Sequence, residues 1–151
     1  MIIRKSGVYT TRIFDELQEG EECTIKYAFG DMLLPQFDSI NNIVCIAAGS
    51  GIAPFLSFVD ELKLENQLDR LELFYTVRRK EDLISYDIHL FSTDEDSEVA
   101  SNRLMNINDI VQGKNYKDKH YYICGSPEFI TFFKDELLKK GIKNIYLDEW
   151  E

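Results

Sequence analysis

Cysteine is scarce in this sequence: Cys23, Cys45 and Cys124 lie far apart and form no Cys-x-x-Cys pair. That spacing does not match an iron–sulfur cluster in the chain itself. In a reducing compartment disulfides are not expected either. Histidine is scarcer still, with only His89 and His120, so no His/Cys metal site is expected. Long hydrophobic runs are missing: none approaches the roughly 20 residues that cross a bilayer. The opening MIIRKSGVYT has no apolar core of a signal peptide. These absences point to a cytoplasmic protein that does not engage a membrane. Cations are outnumbered, 17 Lys and Arg against 27 Asp and Glu, leaving a net charge of −10. Nucleic-acid binding needs clustered excess Lys and Arg, so no nucleic-acid partner is expected. A local anion site is still allowed.

What is present is the composition of a globular chain: 151 residues, 44% hydrophobic and 29% charged, enough for one core. The first forty or so residues read differently from the rest. Val8–Thr11 looks extended, Arg12–Leu17 forms a short helix ending near Gly20, Cys23–Phe29 is strand-like, and a turn at Gly30-Asp31 leads through Met32–Leu34 to Pro35. This is too little to bury its own apolar face, so it reads as a remnant or a docking element. From Asn42 onward strands and helices alternate. NIVCIAA (42–48) is an apolar run of the kind buried on both faces of a parallel sheet. LELFYTV (71–77), IHLFS (88–92), HYYIC (120–124) and NIYL (144–147) follow as further strands. Between them Phe55, Phe58, Val59 and Leu62 repeat at helical spacing after Pro54, and 104–111 has room for a short helix. Phe129, Phe132, Phe133, Leu137 and Leu138 repeat after Pro127 until Gly141. The expectation is an α/β fold: a five-stranded, doubly wound parallel sheet over 39–151, preceded by a short β-rich segment over 1–38.

In such sheets ligands bind past the carboxyl ends of the strands, where three loops stand out. Gly49-Ser50-Gly51-Ile52-Ala53-Pro54 joins the first strand to a helix. Its glycines let the backbone come close to a ligand, and the helix points free N–H groups and the positive end of its dipole at it. A pyrophosphate fits there, although a bare tight turn reads the same way and the GxGxxG fingerprint is incomplete. Thr76-Val77-Arg78-Arg79-Lys80-Glu81-Asp82 places three consecutive cations at a strand end, suited either to phosphates or to a solvated loop. Cys124-Gly125-Ser126-Pro127 sets a small polarizable side chain where a flat ring can pack, or else a buried structural thiol.

Together, strand–GSGIAP, strand–TVRR..DLISY and strand–CGSPEF, in this order, resemble the ferredoxin–NADP reductase family of flavoprotein reductases over nearly the whole chain. Gly7-Val8-Tyr9-Thr10 is similar to that family's GxxS/T flavin-pyrophosphate motif. Glu19–Glu22 and Phe29–Pro35 resemble the last barrel strands, and Asp148-Glu149-Trp150 resembles its C-terminal aromatic tail. The resemblance implies an N-terminal flavin barrel and a C-terminal nicotinamide-nucleotide domain. Gly49, Ser50, Gly51, Ile52, Ala53 and Pro54 would then border the pyrophosphate and nicotinamide. Thr76 and Arg78 would hold the phosphate or adenosine side in a loop shaped by Asp82 and Tyr86. Cys124 would lie beside the nicotinamide carbon that gives up hydride, in a turn set by Gly125, Ser126 and Pro127. Trp150 would cover the flavin ring, and Asp148 matches the acidic residue near the family's terminus.

Members that take the 2′-phosphate tend to have Ser-Arg after the third strand. Here Thr93 and Asp94 open an acidic stretch through Asp96 that repels an extra phosphate and can accept from ribose hydroxyls. NAD(H) is favoured over NADP(H), with Arg78 and Arg103 as remaining phosphate partners. The barrel's Arg-x-Tyr-Ser/Thr motif has no counterpart here, so Gly7 and Thr10 make half a flavin site. FAD is expected only where the rest of the barrel is supplied, for instance by a barrel-bearing subunit. A separate electron-transfer protein is an expected partner, and a homodimer is compatible with the sequence. Two functions follow: the nucleotide-binding part of an oxidoreductase passing hydride from NAD(P)H to FAD, or a non-catalytic nucleotide-binding or assembly module.

Overall fold

The computed structural model describes residues 3, 5, 7–24, 32–34, 42–78, 89–92 and 104–148, with the backbone alone for 89–92. Five strands form one sheet, β1 (Ile43–Ala48), β2 (Leu71–Val77), β3 (His89–Ser92), β4 (His120–Cys124) and β5 (Ile145–Asp148), in the order β3-β2-β1-β4-β5. Every neighbouring pair is parallel. β1 sits in the centre because its side chains are apolar on both faces: Ile43, Val44, Cys45, Ile46 and Ala47 are all fully buried. Burial also raises the Cys45 thiol pKa well above its ordinary value.

The alternation of side chains along each strand divides the core in two. On one face Ile43, Cys45, Ala47, Tyr75, Val77, Tyr122 and Cys124 meet Phe55, Phe58, Val59 and Leu62 of α2 (Ala53–Leu64). On the other, Val44, Ile46, Phe74, Tyr121 and Ile123 meet α3 (Ile107–Ile110) and Ile130, Phe133 and Leu137 of α4 (Pro127–Lys139). Helices on both faces make the fold doubly wound. Each element has a local cause. α3 starts with a capping box between Asn106 and Asp109. α4 starts with Ser126 accepting from the Phe129 N–H and Pro127 in the first turn. Gly141, with φ +79°, ends the run after α4 in the left-handed conformation.

The strand order reverses at β1. The chain leaves it through α2 to β2 and β3 on one side, then crosses to β4 and β5 on the other. The crevice for a ligand therefore opens between the carboxyl ends of β1 and β4.

The N-terminal segment differs from expectation. Val8–Thr11 is helical rather than extended: α1 runs Gly7–Glu16. Intrinsic helix penalties of β-branched residues are only about 0.7 kcal/mol or less each, so a helix beginning at Gly7 absorbs Val8, Thr10 and Thr11. An Arg12–Glu16 pair one turn apart, at 2.6 Å, supports it. Among the described residues before β1 there is a helix and no strand, so the β-rich character expected of 1–38 is not seen in them. Cys23 and Thr24 carry no regular structure, and the rest of the expected strand to Phe29, the Gly30-Asp31 turn and Pro35 lie outside the described residues. Met32 and Leu34 pack on the α2-side core, and the Tyr122 hydroxyl donates to the Leu33 carbonyl at 3.3 Å.

Candidate functional site

The segment after β1 is a wound turn rather than an open loop. Gly49–Ile52 forms one turn of 3-10 helix that runs straight into α2, with Pro54 in the first turn of α2. Gly49 takes φ +55°, the left-handed region that favours glycine. Gly49 and Ser50 are exposed, so their backbone is open to a ligand, whereas Gly51 and Ile52 are buried and face the protein. Ala53 and Pro54 are half-buried. The six residues singled out in the sequence thus divide into an outward pair and an inward pair, with the helix start beyond them.

The inward pair meets the loop after β4. A Cβ built on Gly51 would fall 2.6 Å from the Cys124 carbonyl carbon and 2.9 Å from the Gly125 nitrogen, and nearer still to the carbonyl oxygen. Gly125 is hemmed in as well: a Cβ there would lie 2.8 Å from Phe129 Cδ1 and 3.1 Å from Ala48 Cβ. The first and third loops are therefore packed backbone to backbone at the point where strand order reverses. Sequence reading missed Ala48 and Phe129 as parts of this junction. The signal for Phe129 was its place four residues after Gly125, read only as helical core spacing.

Cys124 ends β4, fully buried, in register with Ala47 on one side and Asp148 on the other. Its thiol donates to Asp148 Oδ2 at 3.7 Å. Two residues implied by the resemblance to lie at the reacting end are thus brought together by strand pairing. Ser126 and Pro127 are exposed. The Ser126 hydroxyl oxygen is engaged as the α4 cap. The Glu128 carboxyl sits below its usual range because its own backbone N–H, and next the Ser126 side chain, bond its charged form.

Thr76 lies in β2 beside Ala48, and Arg78 is exposed just past the β2 end. Gly7, with φ +76°, and the half-buried Thr10 form the start of α1. Asp82, Tyr86, Thr93, Asp94, Arg103 and Trp150 lie outside the described residues. Among the described residues no group of three His, Cys, Asp or Glu is placed to hold a metal ion, and no helix is long and apolar enough to cross a membrane. For a nicotinamide nucleotide the donor set fits: an exposed glycine turn at a helix start for phosphate, a nearby strand-end cation, and a small side chain at the end of β4.

Residues 45–135 match the model of the family described as oxidoreductase NAD-binding domain. A Bacillus subtilis flavohemoprotein is 27% identical over 85% of this chain and 37% of its own length. The carnitine monooxygenase reductase subunit of Acinetobacter baumannii is 30% identical over 92% of this chain and 43% of its own. The chain thus spans about two fifths of the length of these curated relatives. Two solved structures share the fold. The flavohem-like FAD/NAD-binding domain of a Vibrio cholerae nitric oxide dioxygenase has a TM-score of 0.83 at 16% identity, over 95% of this chain and 65% of that one. A Neisseria gonorrhoeae ferredoxin NADP+ reductase with bound FAD and NADP has a TM-score of 0.75 at 23% identity, over 97% of this chain and 71% of that one. A homodimer gains no support from these relatives.

Proposed function

The chain belongs to the oxidoreductase NAD-binding domain family, within the ferredoxin reductase-like flavoprotein reductases, and from that premise we propose that it is the nicotinamide-nucleotide half of an NAD(P)H-dependent flavin reductase. The observation that carries this reading is the junction between the β1 and β4 ends, where Gly51 abuts Cys124 and Gly125. It lies where doubly wound sheets bind dinucleotides. A nicotinamide nucleotide bound here would supply hydride, and FAD, where a flavin barrel is supplied, would be the route by which its electrons reach a protein or small acceptor.

This chain's own residues bind and orient. Gly49 and Ser50 offer backbone N–H groups to the pyrophosphate at the start of the helical segment. Arg78, with Thr76 behind it and Asp82 and Tyr86 further along the sequence, takes the adenosine-phosphate side. Thr93 and the acidic Asp94 favour a ribose hydroxyl, hence NADH over NADPH. Cys124 and the Gly125–Pro127 turn border the nicotinamide end, Asp148 lies against the thiol, and Trp150 shields the flavin side. Gly7 and Thr10, at the start of α1, are the chain's own contribution to the flavin pyrophosphate. Positioning of this kind contributes to rate by fixing the reacting geometry.

The test is an absorbance spectrum of the purified chain with added FAD, followed by anaerobic NADH and then NADPH. Retained flavin bleached faster by NADH supports the whole reading. No retained flavin, with NADH raising the melting temperature, supports a nucleotide-binding half that needs a barrel from elsewhere. Failure of both nucleotides to bind overturns it.

A further inference from the structure

The two glycines after β1 have different reasons to be glycine. Gly49 has φ +55°, is exposed, and a Cβ there would meet nothing within 4 Å. Its need is conformational, and its surface is free for a ligand. Gly51 is the reverse. Its φ lies outside the left-handed region, it is buried, and a Cβ would press into the Cys124–Gly125 peptide, 2.6 Å from the carbonyl carbon where ordinary contact begins near 3.4 Å. A buried Gly51 cannot serve the close approach of a ligand. What its missing side chain permits is contact between two stretches of protein backbone.

We infer that Gly51 is a positioning residue: its lack of a side chain lets the first loop lock the Cys124–Gly125 turn in place at the nicotinamide end of the site. This rests on the nucleotide-binding reading above. Cys124 is held from both sides by the sheet, in register with Ala47 and Asp148, so the part free to yield is the turn that begins at its carbonyl. Gly125 is limited in turn by Phe129 and Ala48. A Cβ at position 51 therefore pushes the turn away from the first loop, starting at the backbone of a residue that is now fully buried. Displacements near 1 Å at a reacting site can cost about a hundredfold in rate. The phosphate-facing backbone of Gly49 and Ser50 lies on the opposite side of the same turn and is left in place.

The test is Gly51→Ala in the full chain, read in two ways. Iodoacetamide labelling, mapped by peptide mass spectrometry, reports Cys124 against Cys45, which is also fully buried. Calorimetry with ADP-ribose reports the phosphate and adenosine end alone. The positioning role predicts that Cys124 labels about tenfold faster or more, Cys45 stays protected, and ADP-ribose affinity holds within about threefold. Protected Cys124 with collapsed ADP-ribose affinity means that Gly51 serves the phosphate, and overturns the inference. Both unchanged overturns it too. If Cys45 also labels, the variant has unfolded. Gly125→Ala then decides, because its clash is chiefly with the movable Phe129 ring: smaller Cys124 exposure with retained ADP-ribose binding supports the lock, and unchanged labelling refutes it. Wild-type chain that fails to bind ADP-ribose refutes the nucleotide reading itself, while the labelling result still judges the contact.

Discussion

The Cys124 thiol donates to Asp148 Oδ2 across 3.7 Å, and the two residues are register partners on β4 and β5. They are 24 positions apart in sequence. Parallel pairing sets the last described residue of the chain against the strand-end thiol, on the side away from β1. The fully buried Cys124 thus has Ala47 of β1 as its register partner on one side and the Asp148 carboxylate on the other, while Gly51 abuts its backbone carbonyl.

Thiol chemistry should separate the three cysteines in the native chain. Cys23 is exposed and should label first, whereas Cys45 is buried with its pKa raised by desolvation and should stay silent until denaturant is added. Asp148→Ala should open Cys124 without affecting Cys45, at a stability cost of about 1 kcal/mol or less, since the lost bond is weak and partly exposed. Cys124 staying as protected as Cys45 in that variant would show that the Asp148 carboxylate is not what shields it.

Arg78→Ala should weaken NADH binding by roughly 10- to 100-fold, the range expected when a charge-assisted bond to phosphate is lost. The melting temperature should be unchanged, because Arg78 is exposed. Equal affinity for variant and wild type, measured by NADH fluorescence titration, would make it a solvated loop residue.

Both faces of the sheet depend on a large aromatic. Phe55 is fully buried on the α2 side, and Phe133 is 2% exposed on the α4 side, 4.8 Å from the Phe129 ring and 5.1 Å from Phe132. Truncating either to Ala should cost about 3–5 kcal/mol in urea denaturation. A cost below about 1 kcal/mol at either site would mean that its face contributes little to the core.

His120 predicts a pH dependence. Its ring stacks on Tyr146 and its Nδ1 is hydrogen-bonded to the Tyr146 hydroxyl at 3.1 Å, while burial lowers its pKa below the ordinary 6.5. Between the two values the unfolded chain binds a proton that the folded chain refuses. His120's contribution to stability is therefore complete above pH 6.5 and declines as pH falls through 6.5 toward the folded value. Chemical denaturation from pH 7.5 to 5 should show that decline, reduced in His120→Gln. An identical slope in the variant would place the dependence on the carboxylates instead.

Much of the sheet was legible residue by residue. NIVCIAA read as a strand because it is unbroken in apolar character from Ile43 to Ala48, as burial on both faces requires, whereas HYYIC, with His120 and two tyrosines, read as one from its place in the alternation with helices. The helices after Pro54 and Pro127 read as helices because Phe55, Phe58, Val59 and Leu62, and likewise Phe129, Phe133 and Leu137, fall on one side at 3.6-residue spacing. Val8–Thr11 misled because β-branched residues favour strands only weakly, and a helix that starts one residue earlier overrides them.

The alternation of strands and helices, the glycine turn after β1, and the family to which the chain belongs were all readable from residue order. These are local patterns, written in the spacing of apolar side chains and in residues with special backbone needs. That β4 lies beside β1, that Gly51 therefore abuts Cys124, and that Asp148 meets the thiol emerge only on folding. Strand order is a matter of which distant segments share backbone hydrogen bonds, and those N–H and C=O groups are the same in every residue but proline. No local pattern names the partner; only the packed sheet does.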